Sequence, residues 1–129
     1  MKEDYVSYGV AKLLKEKGFD ECIFEFYEGH KIKYARNGKG FRLSELGSDM
    51  YYPHITHQMA MKWLREVYGL HISLEPCYDY DSMHVVFLAF VQNVADVHKF
   101  FDGRKNVASY PNAEKSYELA IKYCLENLI

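Results

Sequence analysis

Residues 84–92 read His84-Val85-Val86-Phe87-Leu88-Ala89-Phe90-Val91-Gln92, with seven apolar residues in an unbroken run. Laid out as a strand, the run puts Val85, Phe87, Ala89 and Val91 on one face and Val86, Leu88 and Phe90 on the other. Both faces of this strand call for cover. Just upstream, Leu70 to Glu75 alternates instead. Leu70, Ile72 and Leu74 point one way and His71, Ser73 and Glu75 the other, the pattern of a half-buried antiparallel strand. Two neighbouring strands with these patterns already point to a sheet that packs against something on at least one side.

Working outward, Cys22–Glu28 and Lys31–Ala35 flank Gly29-His30 and read as a second hairpin. Three amphipathic helices surround the strands. The first begins at Asp4 or Ser7, carries Val6, Val10, Leu13 and Leu14 on one face, and stops at Gly18. The second follows Pro53 with Thr56 as its expected cap, shows an Ala60, Trp63, Leu64 and Val67 stripe, and ends at Gly69. The third follows Pro111 with Asn112 as cap and runs nearly to Ile129. Its apolar period passes through Ala113, Tyr117, Ala120, Ile121, Cys124, Leu125 and Leu128. The expected order is α-β-β-α-β-β-α. The expected fold is an α+β two-layer sandwich with a four-stranded, mainly antiparallel sheet and helices packed on one face. Gln92 to Ser109 carries no clear assignment.

A chain of 129 residues, with 49% hydrophobic and 26% charged positions, fits one domain over 1–129 and is long enough to bury a core without metal or disulfides. The net charge is 16 − 18 = −2, which argues against nucleic-acid binding driven by global charge. Cys22, Cys77 and Cys124 are far apart and form no CxxC pair, so neither a disulfide framework nor a zinc knuckle is indicated. The beginning, Met1-Lys2-Glu3-Asp4-Tyr5, has no apolar leader segment, and seven apolar residues cannot span a bilayer. The expectation is a cytoplasmic protein that makes no use of a membrane. Aromatic residues are abundant, with 12 Tyr, 8 Phe and 1 Trp, and tyrosine suits half-buried or partner-contacting surfaces.

With helices on one face, Val86, Leu88 and Phe90 fall on the open face of the sheet. Monomers rarely leave more than a few hundred Å² of contiguous apolar surface uncovered. Either a helix or the long loops cross to that face and close a monomer, or a second copy or another protein covers it. Tyr78 and Tyr80, in a tyrosine-rich loop, join Val86, Leu88 and Phe90 as interface candidates.

Other constellations offer chemistry with a plainer structural reading beside it. Lys31, Lys33, Arg36, Lys39 and Arg42 form a basic stretch with Tyr34 and Phe41 interleaved, the ingredients of a single-stranded nucleic-acid groove. Asn37-Gly38-Lys39-Gly40 is compatible with a backbone nest for an anion. An edge strand guarded by lysines accounts for the stretch equally well, and the plainer reading is favoured. Glu75, Asp79, Asp81 and His84, with His71 nearby, are a candidate divalent-metal set, although a loop rich in Asp and Tyr is ordinary between two strands. His54 and His57 are three apart, and a solvent-touching histidine at a helix start is the simpler account. Cys22, in register with Phe24 and Phe26, reads as core, as do Cys124 and Trp63; Cys77 falls in a loop. No serine-hydrolase or kinase motif is present. No catalytic residue, metal or cofactor is assigned.

Glu3-Asp4-Tyr5-Val6-Ser7, Ala11-Lys12-Leu13-Leu14-Lys15-Glu16-Lys17-Gly18-Phe19, Gln58-Met59-Ala60-Met61-Lys62-Trp63-Leu64-Arg65-Glu66-Val67 and Ala120-Ile121-Lys122-Tyr123-Cys124-Leu125-Glu126-Asn127-Leu128-Ile129 together cover the three helices. In these segments the chain resembles a family of small uncharacterised proteins from anaerobic gut bacteria and their phages or conjugative elements. The resemblance implies an accessory protein of a mobile element and carries no site residue with it. The functional expectation is a non-catalytic protein-binding or self-associating module, the self-associating form being a homodimer. Nucleic-acid binding through the basic stretch is the alternative, and a metal-dependent hydrolase the second one.

Overall fold

The computed structural model describes residues 4–35, 39–45, 50–95 and 104–129. The backbone divides into two compact units, residues 1–56 and 57–129, and each holds one three-stranded antiparallel sheet.

In the first unit, helix α1 (Tyr8–Glu16) begins where Ser7 Oγ accepts the Val10 N–H at 3.2 Å. It ends at Gly18, whose φ of 95° few side-chain-bearing residues tolerate. There the Gly18 N–H donates to Lys15 O at 3.1 Å and the Phe19 N–H to Leu14 O at 2.9 Å. These two bonds satisfy carbonyls that the helix end would otherwise leave open. Val10, Ala11 and Leu14 are buried. Strands β1 (Glu25–Glu28) and β2 (Lys31–Tyr34) form a hairpin across Gly29-His30, in register from Glu25↔Tyr34 to Glu28↔Lys31. Strand β3 (Tyr51–Pro53) pairs with the other edge of β1, giving the order β2-β1-β3. Lys15 Nζ donates to Tyr51 O at 2.9 Å, and Tyr27 OH to Val6 O at 2.9 Å, tying helix and sheet together.

In the second unit, helix α2 (His57–Tyr68) is followed by strands β4 (Leu70–Asp79), β5 (His84–Asn93) and β6 (Lys105–Tyr110), then helix α3 (Ala113–Asn127). The strand order is β4-β5-β6. Residues opposite one another in antiparallel strands share a face. Ile72↔Val91, Leu74↔Ala89 and Ala89↔Ala108 therefore define one side of the sheet. Ile72, Ala89, Val91 and Ala108 on that side are buried, and α3 packs across all three strands. Asn112 caps α3 by accepting the Lys115 N–H at 2.9 Å. Ser116, in the first turn of α3 and fully buried, donates its hydroxyl to Phe87 O at 2.8 Å. Pro76 stands opposite Phe87 at a non-hydrogen-bonded position of the β4–β5 ladder, so the N–H it lacks would have faced outward from the β4 edge.

Among the described residues, the α+β class and three helices agree with the sequence expectation, but the single four-stranded sheet and the α-β-β-α-β-β-α order do not. Two further strands, β3 and β6, complete two separate three-stranded sheets. With β3 and β6 in place, β1 and β5 are each paired on both sides, so neither hairpin's central strand has an edge left to share. Of the remaining edges, β2 carries Lys31 and Lys33 and β4 carries Pro76, features that discourage further pairing. Two smaller differences follow from local geometry. Ile23, not Cys22, is buried, because Ile23 makes an isolated bridge to Phe41 outside the β1 ladder and turns inward there. Cys22 and Phe24 are consequently exposed. Val67, counted in the stripe of α2, is also exposed.

Candidate functional site

Strands β4 and β5 pair over ten positions, from Leu70↔Asn93 to Asp79↔His84, while β6 reaches only Phe87 to Val91 of β5. Beyond Phe87 the hairpin continues as a two-stranded ribbon. At its end stand four exposed large side chains: Tyr78 (44% accessible), Tyr80 (81%), Met83 (67%) and Val85 (49%). Tyr78 and Val85 are directly opposite one another in the ladder and share a face.

An isolated two-stranded ribbon is marginal in water, and the turn sequence compensates locally. Asp79 O accepts the Met83 N–H at 2.8 Å. The Asp79 carboxylate accepts the Asp81 N–H at 3.1 Å through Oδ1 and the Ser82 hydroxyl at 2.9 Å through Oδ2. The Tyr78 and Tyr80 rings meet edge-to-face, 4.9 Å between centroids and 74° between planes. Tyr78 OH donates to Met83 Sδ at 3.7 Å. Met83 itself sits at φ 61°, a left-handed conformation that costs a non-glycine residue roughly 1–3 kcal/mol. Apolar side chains are thus held in a fixed arrangement in front of water. Only the surface still open to water is gained on docking, so each would contribute at most about 1.5–3 kcal/mol and the half-exposed Tyr78 and Val85 less.

The remaining interface candidates lie elsewhere on the sheet. Val86, Leu88 and Phe90 share the face opposite Tyr78 and Val85. Val86 is 9% accessible, and Leu88 and Phe90 are half-buried. The Arg104 guanidinium lies 3.8 Å from the Phe90 ring centroid and forms an ion pair with Glu75. Met83 did not stand out in the sequence. Its signal was the four-residue spacing between the two strands, which demands a tight turn and a left-handed residue.

Of the basic stretch, Lys31 and Lys33 share one face of the fully exposed strand β2, opposite Glu28 and Phe26, and Lys39 and Arg42 are exposed. Arg36, with Asn37 and Gly38 of the nest, lies outside the described residues. Ser44 N–H and Oγ both donate to the Asp20 carboxylate, at 3.0 and 2.7 Å. These bonds, aided by Arg42, hold the Asp20 carboxyl below its ordinary range. In the candidate metal set, both Asp79 oxygens are engaged by the turn. Among the described residues no three His, Cys, Asp or Glu side chains gather as a metal site would require.

His54 is half-buried and His57 is buried, so neither is an open surface histidine, and each has its own carboxylate. His54 Nδ1 lies 2.6 Å from Glu25 Oε2, its ring stacked on Tyr5 at 4.2 Å. His57, which is buried, has Nε2 at 2.6 Å from Glu118 Oε2 on α3. The folded chain assigns the two imidazoles to different carboxylates, Glu25 and Glu118, 93 positions apart in sequence. Cys124 is buried, and burial pushes its thiol up to about 12, which suppresses the thiolate a nucleophile would need. Cys77 is exposed on β4, not in a loop, and Trp63 is buried.

No helix among the described residues is long and apolar enough to cross a membrane. Comparison with protein-family models, with curated proteins and with solved structures returns no match for the chain.

Proposed function

We propose that the chain is a non-catalytic protein-binding module that associates with a second copy of itself or with another protein through the end of the β4–β5 hairpin. The observation that carries the reading is the ribbon end itself. Tyr78, Tyr80, Met83 and Val85 are held exposed on a hydrogen-bonded turn, with Met83 in a backbone conformation that a glycine would adopt more cheaply. A pre-ordered apolar tip loses less entropy on docking than a mobile loop. The resemblance in the helices adds a setting, an accessory protein of a mobile element working in the cytoplasm.

The test separates stability from association. Replacing Met83→Gly relieves the left-handed strain, so folding stability holds or rises, while an interface side chain is lost. Light scattering at high micromolar concentration is expected to show association of the natural chain and its loss in Met83→Gly and Tyr80→Ser. In parallel, the tagged chain is purified from its own host with and without nuclease. A monomer in solution that brings down no protein after nuclease treatment would overturn the reading. If nucleic acid alone came down, and was lost in high salt, the function would pass to Lys31, Lys33, Arg36, Lys39 and Arg42.

A further inference from the structure

Strand β6 is the edge of the β4-β5-β6 sheet and pairs only with β5 among the described residues. An edge strand presents alternate N–H and C=O groups outward, ready for another strand. Unlike β4, which carries Pro76, β6 contains no proline: Lys105-Asn106-Val107-Ala108-Ser109-Tyr110. Alongside it runs a groove of about 530 Å³, with residues 106–110 on one side and Leu119, Lys122, Tyr123, Glu126 and Asn127 of α3 on the other. Those helix positions follow the i, i+3, i+4, i+7, i+8 spacing of a single helix face. Half-buried Leu119 and Tyr123 supply its apolar part.

The charges around the groove are unbalanced. Glu126 is the acid on its wall, and Lys122 lies 3.6 Å from it. Lys105 Nζ donates to Tyr123 OH at 2.7 Å and lies 5.1 Å from that ring's centroid, while Lys115 Nζ lies 4.6 Å from the centroid of Tyr110. Neither Lys105 nor Lys115 forms an ion pair with a carboxylate among the described residues. Lys105 opens the strand, and Lys115 reaches Tyr110 at its other end, so the two ammonium groups mark opposite ends of β6. A register shift between Ala89 and Phe90 leaves Val107 as an extra residue on β6. Such a bulge interrupts regular pairing and re-aims side chains, which disfavours indiscriminate sheet extension and leaves Ala108–Tyr110 as the longer regular stretch.

We propose that this groove binds an extended acidic peptide segment, added to β6 as a fourth strand. Small or β-branched side chains of the segment turn toward Leu119 and Tyr123, and carboxylates near its ends meet Lys105 and Lys115. Backbone hydrogen bonds supply much of the affinity in this mode, and side-chain pockets and charge supply the selectivity. The site is separate from the β4–β5 hairpin end, so the two proposals stand or fall independently.

The test is selection of random octapeptides displayed on phage against the full chain, followed by synthesis of the enriched peptide. Enrichment of acidic, β-branched sequences is expected. Binding of the synthetic peptide, read by fluorescence anisotropy, should weaken by about tenfold or more in Lys105→Glu/Lys115→Glu. It should weaken comparably when alternate peptide amides are N-methylated, a change that leaves the protein untouched and removes strand pairing. Met83→Gly should leave it unaltered. The proposal is overturned by the absence of any enriched peptide, or by peptides whose binding ignores both the lysine replacements and N-methylation.

Discussion

Gly69 links α2 to β4 at φ 68°, and a Cβ built there overlaps the Cβ of Ala95 while standing 3.2 Å from Ala95 N and 3.4 Å from its Cα. Replacing Gly69→Ala therefore carries two costs. The left-handed conformation costs an L-residue about 1–2 kcal/mol. The overlap is with a backbone-borne methyl and cannot be relieved by a rotamer change, so the chain at Ala95 must move; overpacking of this kind costs typically ~1–3 kcal/mol. The sum is roughly 2–5 kcal/mol. Gly69 O also accepts the Val94 N–H at 2.7 Å, which ties the displaced segment to the same residue. The two costs can be separated. Ala95→Gly in the Gly69→Ala background removes the methyl and should recover about 1–3 kcal/mol, leaving the conformational part. Urea unfolding followed by fluorescence suits the measurement, because Trp63, the single tryptophan, is buried in the neighbouring helix with Tyr68 edge-on at 5.3 Å. A Gly69→Ala loss that Ala95→Gly leaves unchanged would refute the close approach of residues 69 and 95.

Ser116→Ala removes the buried hydroxyl that donates to Phe87 O. A loss of about 1–2 kcal/mol is expected in thermal or urea unfolding, slightly offset by alanine's better helix propensity. Glu118→Ala takes the carboxylate away from the buried His57 Nε2, and His57→Ala removes the same 2.6 Å contact from the other side, so each should cost roughly 1.5–3 kcal/mol. The double variant should cost clearly less than their sum in a double-mutant cycle, and strict additivity would mean that the 2.6 Å pair is not coupled. Asp20 supplies a pH test. Its folded carboxyl titrates below its unfolded value because Ser44 donates to the charged form. The stabilisation is thus present above about pH 4 and lost as pH falls through the folded pKa. Ser44→Ala should lower unfolding midpoints at pH 7 and lose that deficit in strong acid; a deficit that persists at low pH would contradict the assignment.

Local patterns in the sequence determined much of this protein. Ser7 and Asn112 start helices, Gly18 and Gly69 end two of them, and Gly29-His30 turns the first hairpin, because caps and turns depend on a few neighbouring residues whose backbone preferences are intrinsic. The alternation in Leu70–Glu75 and the apolar run Val85–Val91 likewise marked strands, and Cys124 and Trp63 were legible as core. The same patterns could not reveal β3 or β6. Tyr51-Tyr52-Pro53 is too short to show a period, and Lys105–Tyr110 is a weakly patterned segment whose pairing partner lies far back in the chain. With those strands unseen, two sheets looked like one. Ile23's turn inward is another tertiary outcome, since its bridge to Phe41 reverses the alternation that had placed Cys22 in the core.

For the candidate sites the division is similar. The tyrosines of the β4–β5 turn were visible as residues suited to an interface, but their exposure depends on β6 stopping at Phe87. The partners of His54 and His57 were hidden, because Glu25 and Glu118 are brought to them only by the packing of distant elements. The groove between β6 and α3 had no local signature either. It exists because a short edge strand and a helix face, each ordinary alone, lie side by side once the chain has folded. Propensity acts over a few residues and can be read in order along the chain. Which edge stays open, which charge stays unpaired and which apolar side chain stays wet are settled only when segments far apart in sequence compete for the same neighbours.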